Sequence, residues 1–392
     1  MHEILHGDSL QLLGWFEDNS VDAVVTDPPY GLSFMNKHWD YDVPSVELWR
    51  EVFRVLKPGG HVLSFGGTRT YHRMVVNIED AGFEIRDQLQ WLYGSGFPKS
   101  HDVSKGIDKA AGAEREVVGT KERPGGFDRG ILSHHNSGHL HTPDSGNITA
   151  PATDLAKQWQ GWGTALKPAN EPIVLARKPL VGTVAANVEQ YGTGGLNIDA
   201  SRIGGEPWST KAHVTDSLMV SKTKDLTTKS DAMFRNKPDQ QSHLLGRWPA
   251  NVLFDEEAAA VLDAQHTTTA VGYRKNPSTN KSTWFGAKDG SHIEGERGYQ
   301  DSGGASRFFY VAKASKRERG EGNNHPTVKP VKLMEYLVRL VTPPGGTVLD
   351  PFMGSGTTGV AARNLGFQFV GIEYEKAYIE IAKRRIEGTK CV

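Results

Sequence analysis

The chain has 392 residues, with 45 Lys and Arg against 46 Asp and Glu, so it can bury a large core and carries almost no net charge to attract a partner. Its length exceeds that of a usual single domain, which predicts two domains or one large domain with an insertion. A lone cysteine, Cys391, excludes a disulfide framework and a cysteine-rich metal module and argues against a cysteine nucleophile; with no long apolar run and no signal-peptide pattern in "MHEILHGDSL", we expect a soluble, cytoplasmic protein.

The first hundred residues alternate between two periods. "HEILHG" and "VDAVVT" read as strands, and the second, apolar and β-branched, has the pattern of a strand buried on both faces. It runs into "DPPYG". Pro28 and Pro29 fix φ and remove two backbone donors, so Asp27, the neighbouring carbonyls and Tyr30 form a rigid, acceptor-rich tip. That tip lies just past the carboxyl end of a strand, where open α/β sheets bind ligands. An amphipathic helix in "PSVELWREVFRVLKPGG" comes next and is stopped by Pro58 and Gly59; then come strand "GGHVLSFGG", helix "TRTYHRMVVNIEDAGF" and strand "DQLQWLY". Such alternation predicts a parallel sheet with helices on its faces. This stretch is acidic, with eight Lys and Arg against fourteen Asp and Glu.

Residues 101 to 310 are rich in Gly, Ser, Thr, Asn and His, with strands expected at "EPIVLARKP", "WPANVLFD" and "RFFYVAK". Five of the nine tryptophans, Trp159, Trp162, Trp208, Trp248 and Trp284, lie here among Lys and Arg. That mixture suits a surface that grips nucleic acid and equally suits anchors in the core of an irregular domain. "HHNSGHLH", 134 to 141, reads as a solvated loop, because no helical His pair or nearby cysteine supports a metal site. Phe97 in "YGSGFPKS" either walls a base pocket or closes a turn, and "KASKRERGEGNNHP" either touches phosphates or is a solvated linker.

The tail, 311 to 392, returns to regular alternation and is basic, with thirteen Lys and Arg against eight Asp and Glu. Helix "VKLMEYLVRLV", strand "GGTVLD", helix "TTGVAARNLG", strand "FQFVGIEY" and helix "KAYIEIAKRRIEG" are expected in that order. "VLDPFMGSGTTGVA" is a strand, a glycine-rich turn and a helix start, in which Gly354 and Gly356 allow close backbone approach to a ligand. Thr357 comes directly after Gly356, so the Lys of a phosphate-binding P-loop is missing. Glu373 closes the next strand, where an acid can accept hydrogen bonds from ribose hydroxyls. Together these features point to a nucleoside-containing cofactor.

At these residues the sequence resembles the S-adenosylmethionine-dependent amino-methyltransferases of DNA. "DPPY" at 27–30 is similar to the catalytic tetrapeptide of that family, "DPFMGSGTT" at 350–358 to its cofactor loop, "NNHPTVKP" at 323–330 to the segment before that loop, and "HGDSLQLL" at 6–13 to the lead into the catalytic strand. The order of the motifs is that of the β group. The resemblance implies a Rossmann-like methyltransferase fold of the α/β class: one mixed, mostly parallel sheet assembled from both ends of the chain, with an irregular target-recognition region inserted. It divides the chain into a catalytic half at 1–100, the insertion at 101–310 and a cofactor half at 311–392.

The resemblance also implies roles. Asp27, Pro28, Pro29 and Tyr30 are the catalytic residues. Asp350, Phe352, Gly354, Ser355, Gly356 and Thr357 line the methionine and ribose part of S-adenosyl-L-methionine, Glu373 takes the ribose hydroxyls, Asp8 the adenine amine, and Thr327 and Lys329 border the methionine carboxylate. The implied reaction is direct methyl transfer to the exocyclic amine of an adenine flipped out of double-stranded DNA. Asp27 and the Pro28 carbonyl accept its two N–H groups, and Tyr30 stacks on the base. A cytosine-N4 enzyme and a catalytically silent DNA-binding regulator of the same fold are the alternatives. A homodimer is expected on the general frequency of symmetric pairs; whether a cognate restriction endonuclease accompanies the protein is open at this point.

Overall fold

The computed structural model describes residues 2–32, 41–96, 100–120, 147–204, 246–265, 304–312, 323 and 328–388. Phe97, Trp208, Trp284, Thr327, Cys391, the His-rich stretch 134–141 and all of "KASKRERGEGNNHP" but Asn323 lie outside the described residues. In chain order the elements are β1 (His2–His6), α1 (Ser9–Leu13), β2 (Val21–Thr26), α2 (Val46–Val55), β3 (Leu56–Phe65), α3 (Tyr71–Asp80), β4 (Glu84–Leu92), α4 (Val103–Ala110), β5 (Val117–Thr120), β6 (Asn147–Thr149) and α5 (Asp154–Gln158). They continue with β7 (Asn170–Arg177), α6 (Val184–Tyr191), β8 (Val252–Asp255), α7 (Glu256–Gln265), β9 (Tyr310–Ala312), α8 (Val331–Val341), β10 (Thr347–Asp350), α9 (Thr357–Asn364), β11 (Gln368–Glu373) and α10 (Lys376–Glu387). They pack as two compact units: Met1–Tyr30 with Val43–Gly94 and Glu171–Val392, and Gly31–Asp42 with Ser95–Asn170.

The first unit is built on a nine-stranded sheet in the order β1-β11-β10-β2-β3-β7-β4-β8-β9. Neighbours pair in parallel from β1 to β3 and from β4 to β9, while β7 runs antiparallel to β3. This is the expected mixed, mostly parallel sheet with helices. The two ends of the chain do not complete it alone, however, because β7 and β8 come from the middle stretch. Their apolar runs marked them as strands, but a run of buried residues does not name its neighbours.

β2 sits near the middle of the sheet, and all six of its residues are buried. Ala23 and Val25 join one core cluster with Leu63, Phe65 and the apolar side of α8; Val24 joins the other with Val62, Trp49 and Ile78. That alternation is the two-residue period of a strand covered on both faces. α8 buries nine of its eleven residues, which explains why its sequence shows so little polar face.

One boundary differs from expectation. α2 stops at Val55, and β3 begins at Leu56 and runs straight through Pro58. Lys178 Nζ donates to the carbonyls of Phe53 at 2.8 Å and Leu56 at 2.7 Å, satisfying the orphaned acceptors of the helix end. Gly59 then adopts φ +78°, and a Cβ there would collide with Asn187 Nδ2. Buried Asn187 in turn donates to the carbonyls of Pro58 at 2.9 Å and Thr193 at 2.8 Å. The glycine is therefore required both by its dihedral and by the α6 side chain packed on it.

His61 on β3 is buried, and burial, with Arg177 and Arg86 nearby, lowers its pKa to about 4. The unfolded chain binds a proton near the ordinary value of 6.5 that the native state refuses, so stability is full above that pH and falls as pH drops towards about 4. The expected loss is about 3 kcal/mol, from the size of that shift. Asp350, raised by burial to about 6, has the opposite sign, because its native state gains the proton first on acidification. The His61 share is thus the difference between wild type and His61→Leu in denaturant titrations at successive pH values; parallel curves would contradict it.

The second unit is held by a polar staple. Buried Asp108 on α4 accepts from Arg115 Nη1 at 2.6 Å, Ala152 N at 2.9 Å, Thr153 N at 3.0 Å and Thr153 Oγ1 at 2.7 Å. Burial alone would raise the pKa of this carboxyl, but those donors hold it at about 2. Arg115 also donates to Thr149 Oγ1 at 3.0 Å, tying the antiparallel pair β5–β6 to the two helices. Trp159 and Trp162 meet edge to face at 4.9 Å and both stay exposed, Trp162 at 60%.

Candidate active site

Parallel pairing brings the carboxyl ends of β1, β11, β10, β2 and β3 to one edge of the sheet: His6 pairs with Glu373, Asp350 with Gly371, Leu349 with Val24 and Thr26 with Ser64. β7 delivers its first residues to the same edge because it runs the other way, Ile173 pairing with Phe65 and the Pro172 carbonyl accepting from Gly66 N at 2.9 Å. Glu171 therefore arrives beside the tip of β2.

There the side chains form one cluster. Lys329, in the turn before α8, places Nζ 2.8 Å from Asp27 Oδ2 and 3.0 Å from Glu171 Oε2. The Tyr30 hydroxyl donates to Asp27 Oδ1 at 2.6 Å and lies 3.1 Å from the Lys329 ammonium. Phe65 lies beneath that ammonium, 4.7 Å from ring centroid to Nζ. Burial by itself would lower the pKa of Lys329; Asp27 and Glu171 overcome it and hold the ammonium well above the ordinary lysine value. Burial, with the same two acids, raises the Tyr30 phenol far above its usual range. The cluster thus keeps a charged ammonium and a neutral phenol across the neutral range.

The glycine loop is locked to this cluster from below. Thr26, next to Asp27, donates to Asp350 Oδ1 at 2.6 Å; Thr358 Oγ1 donates to Asp350 Oδ2 at 2.6 Å, and Phe352 N to Oδ1 at 3.1 Å. Asp350 is therefore engaged by the protein itself and joins β2 to the loop and to α9. Glu373 accepts from Gly354 N and from Glu375 N, both at 2.7 Å, folding the loop onto the end of β11; burial raises its pKa. Its two oxygens have four lone pairs between them, so the carboxylate can accept beyond these backbone N–H groups.

Several of the predicted cofactor residues have local structural partners. Arg385 on α10 donates to the Ser355 carbonyl at 2.6 Å, Ser355 Oγ at 2.9 Å and Thr357 Oγ1 at 3.1 Å. Gly356 has φ +81°, and a Cβ there would meet Ala382 Cβ at 2.9 Å, so the close approach that requires this glycine is to α10. Asp8 caps α1 by accepting from Gln11 N at 3.1 Å and is exposed at the edge; its neighbours bind the loop, Ser9 donating to the Pro351 carbonyl and Gly7 N to the Glu373 carbonyl. Phe352 is half-buried against the second core cluster. Lys329 is paired with Asp27 and Glu171.

Hydrogen bonds thus link Asp8's turn, Asp27, Tyr30, Lys329, Asp350, the 352–357 loop and Glu373 along one edge; Thr327 falls outside the described residues. Glu171 and Arg385 were not anticipated. A signal for Glu171 was present: Asp27-Pro28, Glu171-Pro172 and Asp350-Pro351 are three acid-proline steps, each adjoining a buried strand, and all three meet here. Arg385 sits in a charged helix face like any solvated one, and only the fold sets it against the loop.

A donor set of this kind fits a cationic nucleoside cofactor. Glu373 offers lone pairs beside a loop folded by its own backbone, and the edge carries Asp27, Glu171, Asp350 and Glu373 against Lys329, which repels phosphates and attracts a sulfonium.

The family model N6_N4_Mtase, described as DNA methylase, matches residues 21–384. Type II methyltransferase M2.DpnII of Streptococcus pneumoniae is 40% identical over 88 residues, 22% of this chain and 33% of that protein. M2.LlaDCHI of Lactococcus lactis subsp. cremoris, also a Type II methyltransferase, is 38% identical over 86 residues, 22% of this chain and 32% of its own. The match spans about a third of the length of these relatives. Among solved structures, the PvuII DNA methyltransferase, cytosine-N4-specific, aligns over 97% of this chain and 85% of its own at 15% identity, with a TM-score of 0.42. Among the described residues, no helix is long and apolar enough to cross a membrane. With the family match running from the start of β2 into α10, the chain belongs to the N6/N4 family of DNA methylases.

Proposed function

We propose that this protein transfers the methyl group of S-adenosyl-L-methionine to the exocyclic amine of an adenine in double-stranded DNA. The observation that carries the reading is the Asp27 carboxylate, fixed at the tip of a buried strand and joined through Thr26 and Asp350 to a glycine loop closed on Glu373. Family membership and the Type II methyltransferase relatives support it.

When bound, the cofactor supplies a methyl group on positively charged sulfur. An aromatic amine is a poor nucleophile because its lone pair is delocalised into the ring. Asp27 and the Pro28 carbonyl each accept one N–H, which favours the pyramidal, electron-rich nitrogen of the transition state over the planar ground state. The Tyr30 ring, anchored through its hydroxyl on Asp27, is a fixed plate for the flipped base. The extra proton on nitrogen passes to Asp27 or to water. Adenine is favoured because family members acting on the cytosine amine more often carry serine where this chain has Asp27. The part of the second unit that falls in the 101–310 stretch, with its exposed Trp159 and Trp162, is the proposed target-recognition surface. A homodimer and a cytoplasmic setting belong to the same proposal, and the Type II label of the relatives supports a cognate endonuclease.

The test is to express the protein in cells lacking DNA methylation, digest their DNA to nucleosides and resolve these by mass spectrometry. N6-methyl-2′-deoxyadenosine is expected; N4-methyl-2′-deoxycytidine in its place would overturn the adenine assignment, and no methylated base at all would overturn the activity.

A further inference from the structure

We propose that Glu171 is a positioning residue of the transfer site: through Lys329 it fixes the Asp27 carboxylate and leaves the cluster one net negative charge where positive charge arrives on the target nitrogen. The proposal rests on the methyl-transfer reading above and adds to it a residue from the antiparallel strand.

Three groups converge on the Lys329 ammonium: Asp27 at the end of β2 at 2.8 Å, Glu171 at the start of β7 at 3.0 Å, and the Tyr30 hydroxyl at 3.1 Å. The Lys329 side chain is only 11% exposed, so these contacts replace most of its water. Asp27 and Lys329 alone would form a neutral pair, with the ammonium offsetting the acid that must face the substrate. A second carboxylate on the same ammonium changes that sum to one negative charge and shares the pull on Lys329 between two acids. Glu171 Oε2 is also 3.4 Å from the Tyr30 hydroxyl, at the limit of a hydrogen bond, so both groups that hold Asp27 touch Glu171 as well.

The charge matters because of how the reaction redistributes it. The nitrogen lone pair forms the new N–C bond, the C–S bond breaks with its electron pair kept by sulfur, and the positive charge moves from sulfur to nitrogen. One N–H proton then leaves to Asp27 or water, which restores a neutral amine. A negative cluster beside the nitrogen and farther from the sulfur favours that movement, and at low local dielectric a single charge alters the rate substantially. Only an antiparallel strand can make this contribution from its first residue, since a parallel strand would deliver its start to the opposite edge.

A purely structural ion network predicts something different, and three variants separate the two. Glu171→Gln keeps the size and one acceptor for Lys329 but removes the charge; Glu171→Asp keeps the charge; Lys332→Gln, on the exposed side of α8, is a control. We expect Glu171→Gln to lower kcat roughly 10- to 100-fold, with KM for cofactor and DNA nearly unchanged, and Glu171→Asp to recover most of the rate. The titratable groups facing Glu171 are Asp27, Tyr30, Lys329 and Tyr93, so the alkaline limb of the kcat profile should move to lower pH in Glu171→Gln as Lys329 loses an anion. A readout independent of turnover is the rate at which an acetylating reagent modifies Lys329, followed by peptide mass spectrometry. That rate should rise in Glu171→Gln and stay at the wild-type value in the control. Wild-type kcat in Glu171→Gln, or an equal loss in Glu171→Asp with raised KM values, would overturn the proposal. If the wild type methylates no DNA, the activity reading fails on its own; unchanged acetylation of Lys329 in Glu171→Gln then overturns the positioning role as well.

Discussion

Asp27→Ala is expected to lower methyl transfer by roughly 10³-fold, at the upper end of the loss seen when one preorganised transition-state partner is removed. Asp27 lies past the end of β2, and its contacts are Lys329 and the Tyr30 hydroxyl; the buried strand that precedes it packs through Val24 and Val25, which the substitution leaves in place. Lys329 keeps Glu171 as an anionic partner, so the variant does not strand a buried charge, the usual cause of a large loss of stability. Cofactor affinity should therefore stay within a few-fold, because the groups assigned to it, the loop and Glu373, are held by Asp350 and by Gly354 N. A tritiated-methyl assay beside calorimetry with the cofactor separates the two effects. Near-normal turnover in the variant removes Asp27 from the mechanism, and a parallel collapse of cofactor binding makes it a structural residue.

Glu373→Ala should show the reverse emphasis, with cofactor binding weakened by roughly 1 to 3 kcal/mol through loss of a charged acceptor. Two consequences are combined in that figure. The ribose hydroxyls lose their proposed partner, and Gly354 N and Glu375 N lose the oxygens that now fold the loop at 2.7 Å each. Glu373→Gln keeps the steric shape but puts an NH2 group in place of one carboxylate oxygen, so one of the two backbone N–H groups faces a donor and the negative charge is gone. Affinity by calorimetry and amide exchange at Gly354 and Glu375 are the measurements. Unchanged affinity in both variants would mean that the ribose is held elsewhere.

Much of this candidate site was legible in local sequence because the residues that gather at the sheet edge come from short, rigid segments. Two prolines after an apolar strand restrict the backbone on either side of them in any tertiary context, so Asp27 and Tyr30 stand out before any fold is known. The glycine turn between strand and helix is equally local, and α8, β10, α9, β11 and α10 all formed where hydrophobic period predicts them. The features that local sequence left undetermined depend on neighbours. Periodicity marked 171–179 as a strand without saying that it inserts antiparallel between β3 and β4, and that direction alone brings Glu171 to Lys329 and Asp27. Partner choice likewise depends on the fold: within the protein Lys329 meets two carboxylates, Ser355 and Thr357 accept from Arg385, and Gly356 packs closely against Ala382. Dihedral preference and apolar period act over a few residues and are written in the chain itself. Pairing of charges more than a hundred residues apart depends on strand order and direction, which are set by which buried faces pack together across the whole sheet, and these only the folded structure decides.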